Sequence, residues 1–337
     1  MLLLLLACAK ESPKSVAAAA AAACSGCAAD QLVSVGDVAL PGDNVRFDYQ
    51  DIDSANGHLI IAHMNDDSVD IMNLSDGSLA AELTDIRTAR GIAVGSEAGM
   101  IFVTSSPDQV VRIDSTTLTE IDRVTCGSSP DGIAWDGDDG IVGVSDQGDG
   151  AITLLPDDGA GAGMDVALGD ATGNVTYDAT RGWFWITVEH SSTDDQVVAI
   201  DPTTGDQKAA FDLPGCSAAH GLKLHPDAAS AFIACEGNNV LARVDLSSGD
   251  LTTAGTTGGP DVLSIDAELG WLYLAAEGGA LGVYDISSAG VTLAFNQDVG
   301  DNAHTVQVDP ATHYSYFPLE DLDGEPTLRI MQPGSSE

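Results

Sequence analysis

Residues 216–249 read CSAAHGLKLHPDAASAFIACEGNNVLARVDLSSG. The stretch alternates short apolar runs with polar turns. GLKL is a brief strand, HPDAA a turn, SAFIAC a strand apolar on both sides, EGNN a turn, VLARVD an alternating strand, and LSSGD a turn into LTTA. Four strands within one such unit, with a polar residue at the head (His220), pose the question of whether the unit recurs.

It does, six more times. The other copies are DYQDIDSANGHLIIAH from Asp48, RGIAVGSEAGMIFVTS from Arg90, DGIAWDGDDGIVGVSD from Asp131, GNVTYDATRGWFWITVEH from Gly173, DVLSIDAELGWLYLAAE from Asp261 and HTVQVDPATHYSYFPLE from His304. Successive heads are 42, 41, 42, 47, 41 and 43 residues apart. A four-stranded unit of this length cannot bury both of its faces alone, and radial stacking of such units makes a propeller. The expected fold is therefore all-β, a seven-bladed β-propeller of four-stranded antiparallel blades over residues 31–333. The last copy stops one strand short, near TLRIM, and LVSVGDVALP at 32–41 supplies an unassigned strand, so the N-terminal strand is expected to complete blade seven and close the ring.

The phrases DIMNLSDGS, RIDSTTLTE, AIDPTTGD and RVDLSSGD at the ends of the units resemble those of YVTN-repeat, YncE-like seven-bladed propellers. The longer stretches RFDYQDIDSANGHLIIAHM and GPDVLSIDAELGWLYLAAEGG resemble an exported branch of that family. The resemblance implies the propeller fold and a binding role, and says little about a ligand.

Composition narrows the partners. The 12 basic residues against 52 acidic ones leave a net charge of −40, which repels phosphate backbones and anionic membrane surfaces, so nucleic acid is not an expected partner. The N-terminus reads MLLLLLACAK, whose Leu-Leu-Ala-Cys string resembles a bacterial lipobox. This apolar stretch is too short to span a bilayer, which takes about 20 residues. The expectation is a signal segment at 1–8 with lipid attached to Cys8, a flexible tether at 9–30, a short tail at 334–337, and an extracytoplasmic monomer in the periplasm or at the cell surface, touching the membrane through its anchor alone. Cys24, behind an alanine run, is the alternative anchor. In Cys24-Ser-Gly-Cys27 the next residue is Ala28 and not histidine, which rules out c-type haem attachment. Cys216 and Cys235 fall on one face of blade five and can pair as a disulfide clamping the loop that carries His220, whereas Cys126 is left as a buried thiol.

Strand order places the functional candidates. Inner strands line the axis and successive strands run outward antiparallel, so the loop leading into strand one and the loop joining strands two and three open on one face. The inner ring there is Asp48, Arg90, Asp131, Asn174 (beside Gly173), His220, Asp261 and His304, and the outer ring includes His63, His190, Glu236, Glu277 and Glu320. These are the expected ligand-binding residues. His220, Asp261 and His304 form a candidate site for a divalent metal ion, the one cofactor the residues suggest. Alternatively, a lactonase-like hydrolase would use His220 or His304 to activate water, Arg90 to steady an oxyanion, and Asp261 to orient a histidine. The same residue types also form turns and structural networks, which leaves open a purely structural, acidic envelope protein. The leading expectation is non-catalytic binding of a small molecule, ion or envelope protein. Trp183, Trp185, Trp271 and Tyr273 read as packing between blades, and the acidic stretches at 136–140 and 156–163 as turns, because neither places a carboxylate where a calcium loop needs its last ligand.

Overall fold

The computed structural model describes residues 30–334, so the Cys8 anchor, its alternative at Cys24 and nearly all of the tether lie outside the described residues. The inner strands are, in chain order, Gln50–Asp53, Ile92–Gly95, Pro130–Asp136, Ala171–Asp178, Ala219–Leu224, Pro260–Asp266 and Gln307–Asp309. Each begins a four-stranded antiparallel sheet, and seven such sheets follow one another. Neighbouring inner strands meet in cyclic order, the seventh against the first, which closes the ring. The fold is the expected all-β propeller, and its described helical content is two short 3₁₀ turns, Met64–Asp66 and Ser96–Ala98.

The second strands are apolar on both sides because both sides are covered. In blade five, Ala231, Ile233 and Cys235 face blade four, where Trp185 and Val197 meet them. Their alternates Phe232 and Ala234 face blade six and pack on Leu272 and Leu274. The same period of two, repeated around the ring, yields seven apolar clusters, one at each boundary between blades. Trp185 and Tyr273 are fully buried in two of them.

The recurring Asp-Ser/Thr phrases have a mechanical reason. After the third strand of blade five, the Asp245 carboxylate accepts the backbone N–H groups of Ser247 (2.8 Å) and Ser248 (2.9 Å) and the Ser247 hydroxyl (2.6 Å). Asp201 does the same with Thr203 and Thr204 in blade four. Such side-chain turns reverse the chain into the fourth strand. Hydroxyl and amide donors hold both carboxyls down at about 2. At 136–140 the Asp136 carboxylate caps its own turn through the N–H groups of Asp138 and Asp139.

Closure uses the strand Leu32–Ala39, which runs antiparallel to Glu325–Pro333 with Leu32 opposite Pro333 and Ala39 opposite Thr327. Two side-chain clamps reinforce it. The Gln297 amide of blade six accepts from Leu32 N (2.7 Å) and donates to Leu32 O (3.0 Å), and Arg329 grips Asp37 with two bonds of 2.8 and 3.0 Å.

Candidate functional site

The heads are held by the blades beside them. Gly91 N donates to Asp131 O (3.1 Å) and to the Thr104 hydroxyl (2.8 Å), and that hydroxyl donates to Asp131 O as well (2.8 Å), so blade two fixes the head of blade three. Likewise the Thr187 hydroxyl of blade four donates to His220 O at 2.9 Å. The approach is close enough to require glycine. A Cβ on Gly221 would overlap the Asp261 carbonyl oxygen, and one on Gly91 would overlap that of Asp131. Head side chains are thereby aimed from a rigid ring and not from free loops.

They converge on a cleft of about 440 Å³ at the axis. Asp48, Arg90, Asp131, His220 and Asp261 come from the heads, while Gln147, Glu189, Glu236 and Glu277 come from the ends of second strands, which is the two-ring arrangement expected from strand order. Arg46 and Met64 complete most of the wall. Arg46 was missed by the sequence reading because it precedes the blade-one head by two residues. Its guanidinium makes a two-bond pair with Glu277 (2.9 and 2.8 Å) and reaches to 3.7 Å from Asp261.

Charge is unevenly matched inside the cleft. His220 Nε2 lies 3.2 Å from Asp131 and Nδ1 3.9 Å from Glu189. Burial disfavours the imidazolium, but these two carboxylates outweigh it and hold the His220 pKa well above its ordinary value. Burial likewise opposes ionisation of Asp131, and His220 more than compensates, so Asp131 is lowered. Glu277 is also lowered, Arg46 overcoming the cost of burial. Asp48, Asp261 and Glu236 behave in the opposite way. Burial, then Asp131, pushes Asp48 up to about 7. Burial raises Asp261 well above the carboxylate range and Glu236 less far. Asp48 and Asp261 are 6% and 4% exposed, and neither carboxylate makes a hydrogen bond among the described residues.

The remaining candidates lie elsewhere. Asn174 follows the blade-four head, and its Oδ1 turns onto Val175 N at 2.7 Å; with Tyr49 it lines a separate cavity of about 230 Å³ further along the axis. His304 is 1% exposed beside Arg46, its Nδ1 3.3 Å from Asn302 O; burial and then the guanidinium lower its pKa to about 4. His63 is fully buried, stacked on Phe47 with ring centroids 3.9 Å apart and 3.4 Å from Asp70. His190 pairs with Asp170 at 2.8 Å, and Glu320 accepts from Asn302 Nδ2 at 2.8 Å. Neither His190 nor Glu320 borders the cleft. The metal-type cluster that the structure does bring together is His220, Glu236 and Asp261, each offering an atom within 4.8 Å of the others, with Glu236 standing where the sequence suggested His304. Cys216 and Cys235 are joined by a disulfide behind His220, and Cys126 is a free, half-buried thiol.

No family model and no curated protein matches the chain. Among solved structures, a chain of Kuenenia stuttgartiensis hydrazine synthase is similar to it, with a TM-score of 0.75 at 15% identity, covering 88% of this chain and 97% of that one. At that identity the likeness shows the propeller fold alone.

Proposed function

We propose that the protein is an extracytoplasmic binding propeller, lipid-anchored through Cys8, that takes a small positively charged ligand into the axial cleft without converting it. The observation that carries this reading is the charge imbalance. Asp48, Asp131, Glu189, Glu236, Asp261 and Glu277 face only Arg46, Arg90 and His220. Two of these carboxylates are almost fully buried without a hydrogen bond, an arrangement that costs several kcal/mol per ion when both are ionised. A cation seated among them offsets that cost. Lactone hydrolysis is less well supported, because His304 lies outside the cleft wall and it is Asp131, at 3.2 Å, and not Asp261 that pairs with His220. The YVTN-type turn phrases support a place beside YncE-like propellers, and the Cys216–Cys235 disulfide suits an oxidising compartment. A monomer fits the scattered large apolar side chains left exposed, Leu79, Ile121 and Leu293, which sit on three different blades.

The test is thermal unfolding with polyamines and divalent cations on one side and citrate and a lactone panel on the other. At a ligand concentration a hundredfold above Kd the expected stabilisation is about 2.7 kcal/mol, for cations only, and Asp261→Asn or Glu236→Gln diminishes it. Stabilisation by citrate or turnover of a lactone, with none by cations, refutes the reading. For the anchor, Cys8→Ser is expected to release the protein from membranes; release by Cys24→Ser instead moves the lipid to the second cysteine.

A further inference from the structure

We infer that the positive charge the cleft accepts is a divalent transition-metal ion, held by His220, Glu236 and Asp261, with the Asp48 carboxylate bordering the same cleft. This rests on the binding reading above and narrows it. Donor atoms on these three residues lie within 4.8 Å of one another, so a small inward adjustment brings them to the separations of about 3.3–4.6 Å that ligands about 2.0–2.3 Å from a common ion span. A mixed imidazole and carboxylate set suits zinc or manganese better than calcium or magnesium, which take oxygen alone.

Independent of that cluster, Asp48 points to a ligand. The residue is 6% exposed and borders the cleft, and its carboxylate makes neither a hydrogen bond nor an ion pair among the described residues. The two arginines of the cleft wall are already committed. Arg46 is held by two bonds to Glu277, and Arg90 lies between Gln147 (3.5 Å) and Asp131 (3.9 Å). Asp131 contacts His220 Nε2 in the outer carboxylate arrangement that orients a ligating imidazole, so the ion would take Nδ1, displacing its proton, with Glu189 3.9 Å away. The cleft wall carries no Phe, Tyr or Trp side chain, so it lacks the faces that recognise a quaternary ammonium.

Full-length protein stripped with a chelator is titrated with Zn²⁺, Mn²⁺, Ca²⁺ and Mg²⁺ by calorimetry and equilibrium dialysis, with spermidine in parallel. The expected result is one equivalent of Zn²⁺ or Mn²⁺, bound much more tightly than Ca²⁺ or Mg²⁺. His220→Gln and Asp261→Asn should each abolish the stoichiometric site, while Asp131→Asn weakens it about 10–100-fold and His304→Gln leaves it unchanged. Circular dichroism of each variant checks the fold, and Asp48→Asn provides a second route, since an amide there removes the charge at nearly constant shape. Zn²⁺ and Mn²⁺ binding that survives both His220→Gln and Asp261→Asn is diffuse association with an acidic surface and overturns the inference. So does absence of binding at millimolar metal. If spermidine binds where metals do not, the inference falls and the binding proposal stands; if neither binds, both fall.

Discussion

Gly221→Ala tests whether the abutting backbones of blades five and six position the cleft. The added Cβ would overlap the Asp261 carbonyl oxygen, with Leu263 Cδ1 at 2.8 Å and the Asp261 carbonyl carbon at 3.1 Å, so relief requires one inner strand to move away from the other. Overpacking of this kind costs about 1–3 kcal/mol, and rigid backbone on the far side places the change at the upper end. Replacing glycine also restricts the unfolded chain, which returns about 0.4–1 kcal/mol. The net expectation is a loss of about 2 kcal/mol, or roughly 4 °C in Tm at about 2 °C per kcal/mol for a chain of this size. The matched control is Gly255→Ala on the fourth strand of the same blade, where a Cβ meets nothing within 4 Å and φ is not positive. It should leave Tm unchanged or slightly raised. Differential scanning calorimetry of both variants decides the matter. Equal midpoints for Gly221→Ala and wild type would refute the claim that the head positions are set by close contact between neighbouring blades.

Two further outcomes follow from the same architecture. Reducing the Cys216–Cys235 disulfide, or replacing both cysteines with alanine, releases a loop with a sequence separation of 19 and should cost about 3 kcal/mol, read as a fall in the urea midpoint and faster proteolysis of the His220 loop. His190 has its pKa raised by its bond to Asp170, so the stability it contributes is complete below its unfolded value of about 6.5 and is lost as pH rises through the folded value; the Tm difference between wild type and His190→Gln should shrink over that interval, and a difference that grows with pH would contradict it.

The ring was legible in the sequence because its cause is local and repeated. Strands apolar on both sides, such as SAFIAC, occur only where neighbours cover both faces, and the turn aspartates recur because each blade needs the same reversals. The five head residues that reach the cleft were legible for the same reason. Asn174 was misplaced by one position, and in a strand that offset turns the side chain to the other side. His304 occupies its head position, but a guanidinium from another blade stands beside it, a relation that no single repeat encodes. Arg46 and its grip on Glu277 were invisible for the complementary reason: the residue lies outside the repeated phrase, and 231 residues separate the partners. Repetition revealed the frame, and the departures from repetition decide which side chains the frame presents.

The ladder that seals blade seven also dictates an order of assembly. Blades one to six are each drawn from one continuous stretch of chain, whereas Asp37 and Arg329 stand 292 residues apart. A polypeptide emerging amino end first therefore carries the sealing strand with no mate until Glu325–Pro333 has been made. Until then six sheets can form but the circle stays open, with unpaired edges that invite contact with other chains. Truncation within Glu325–Pro333 would leave such an arc permanently ajar, so the making of that strand acts as the checkpoint for the closed ring.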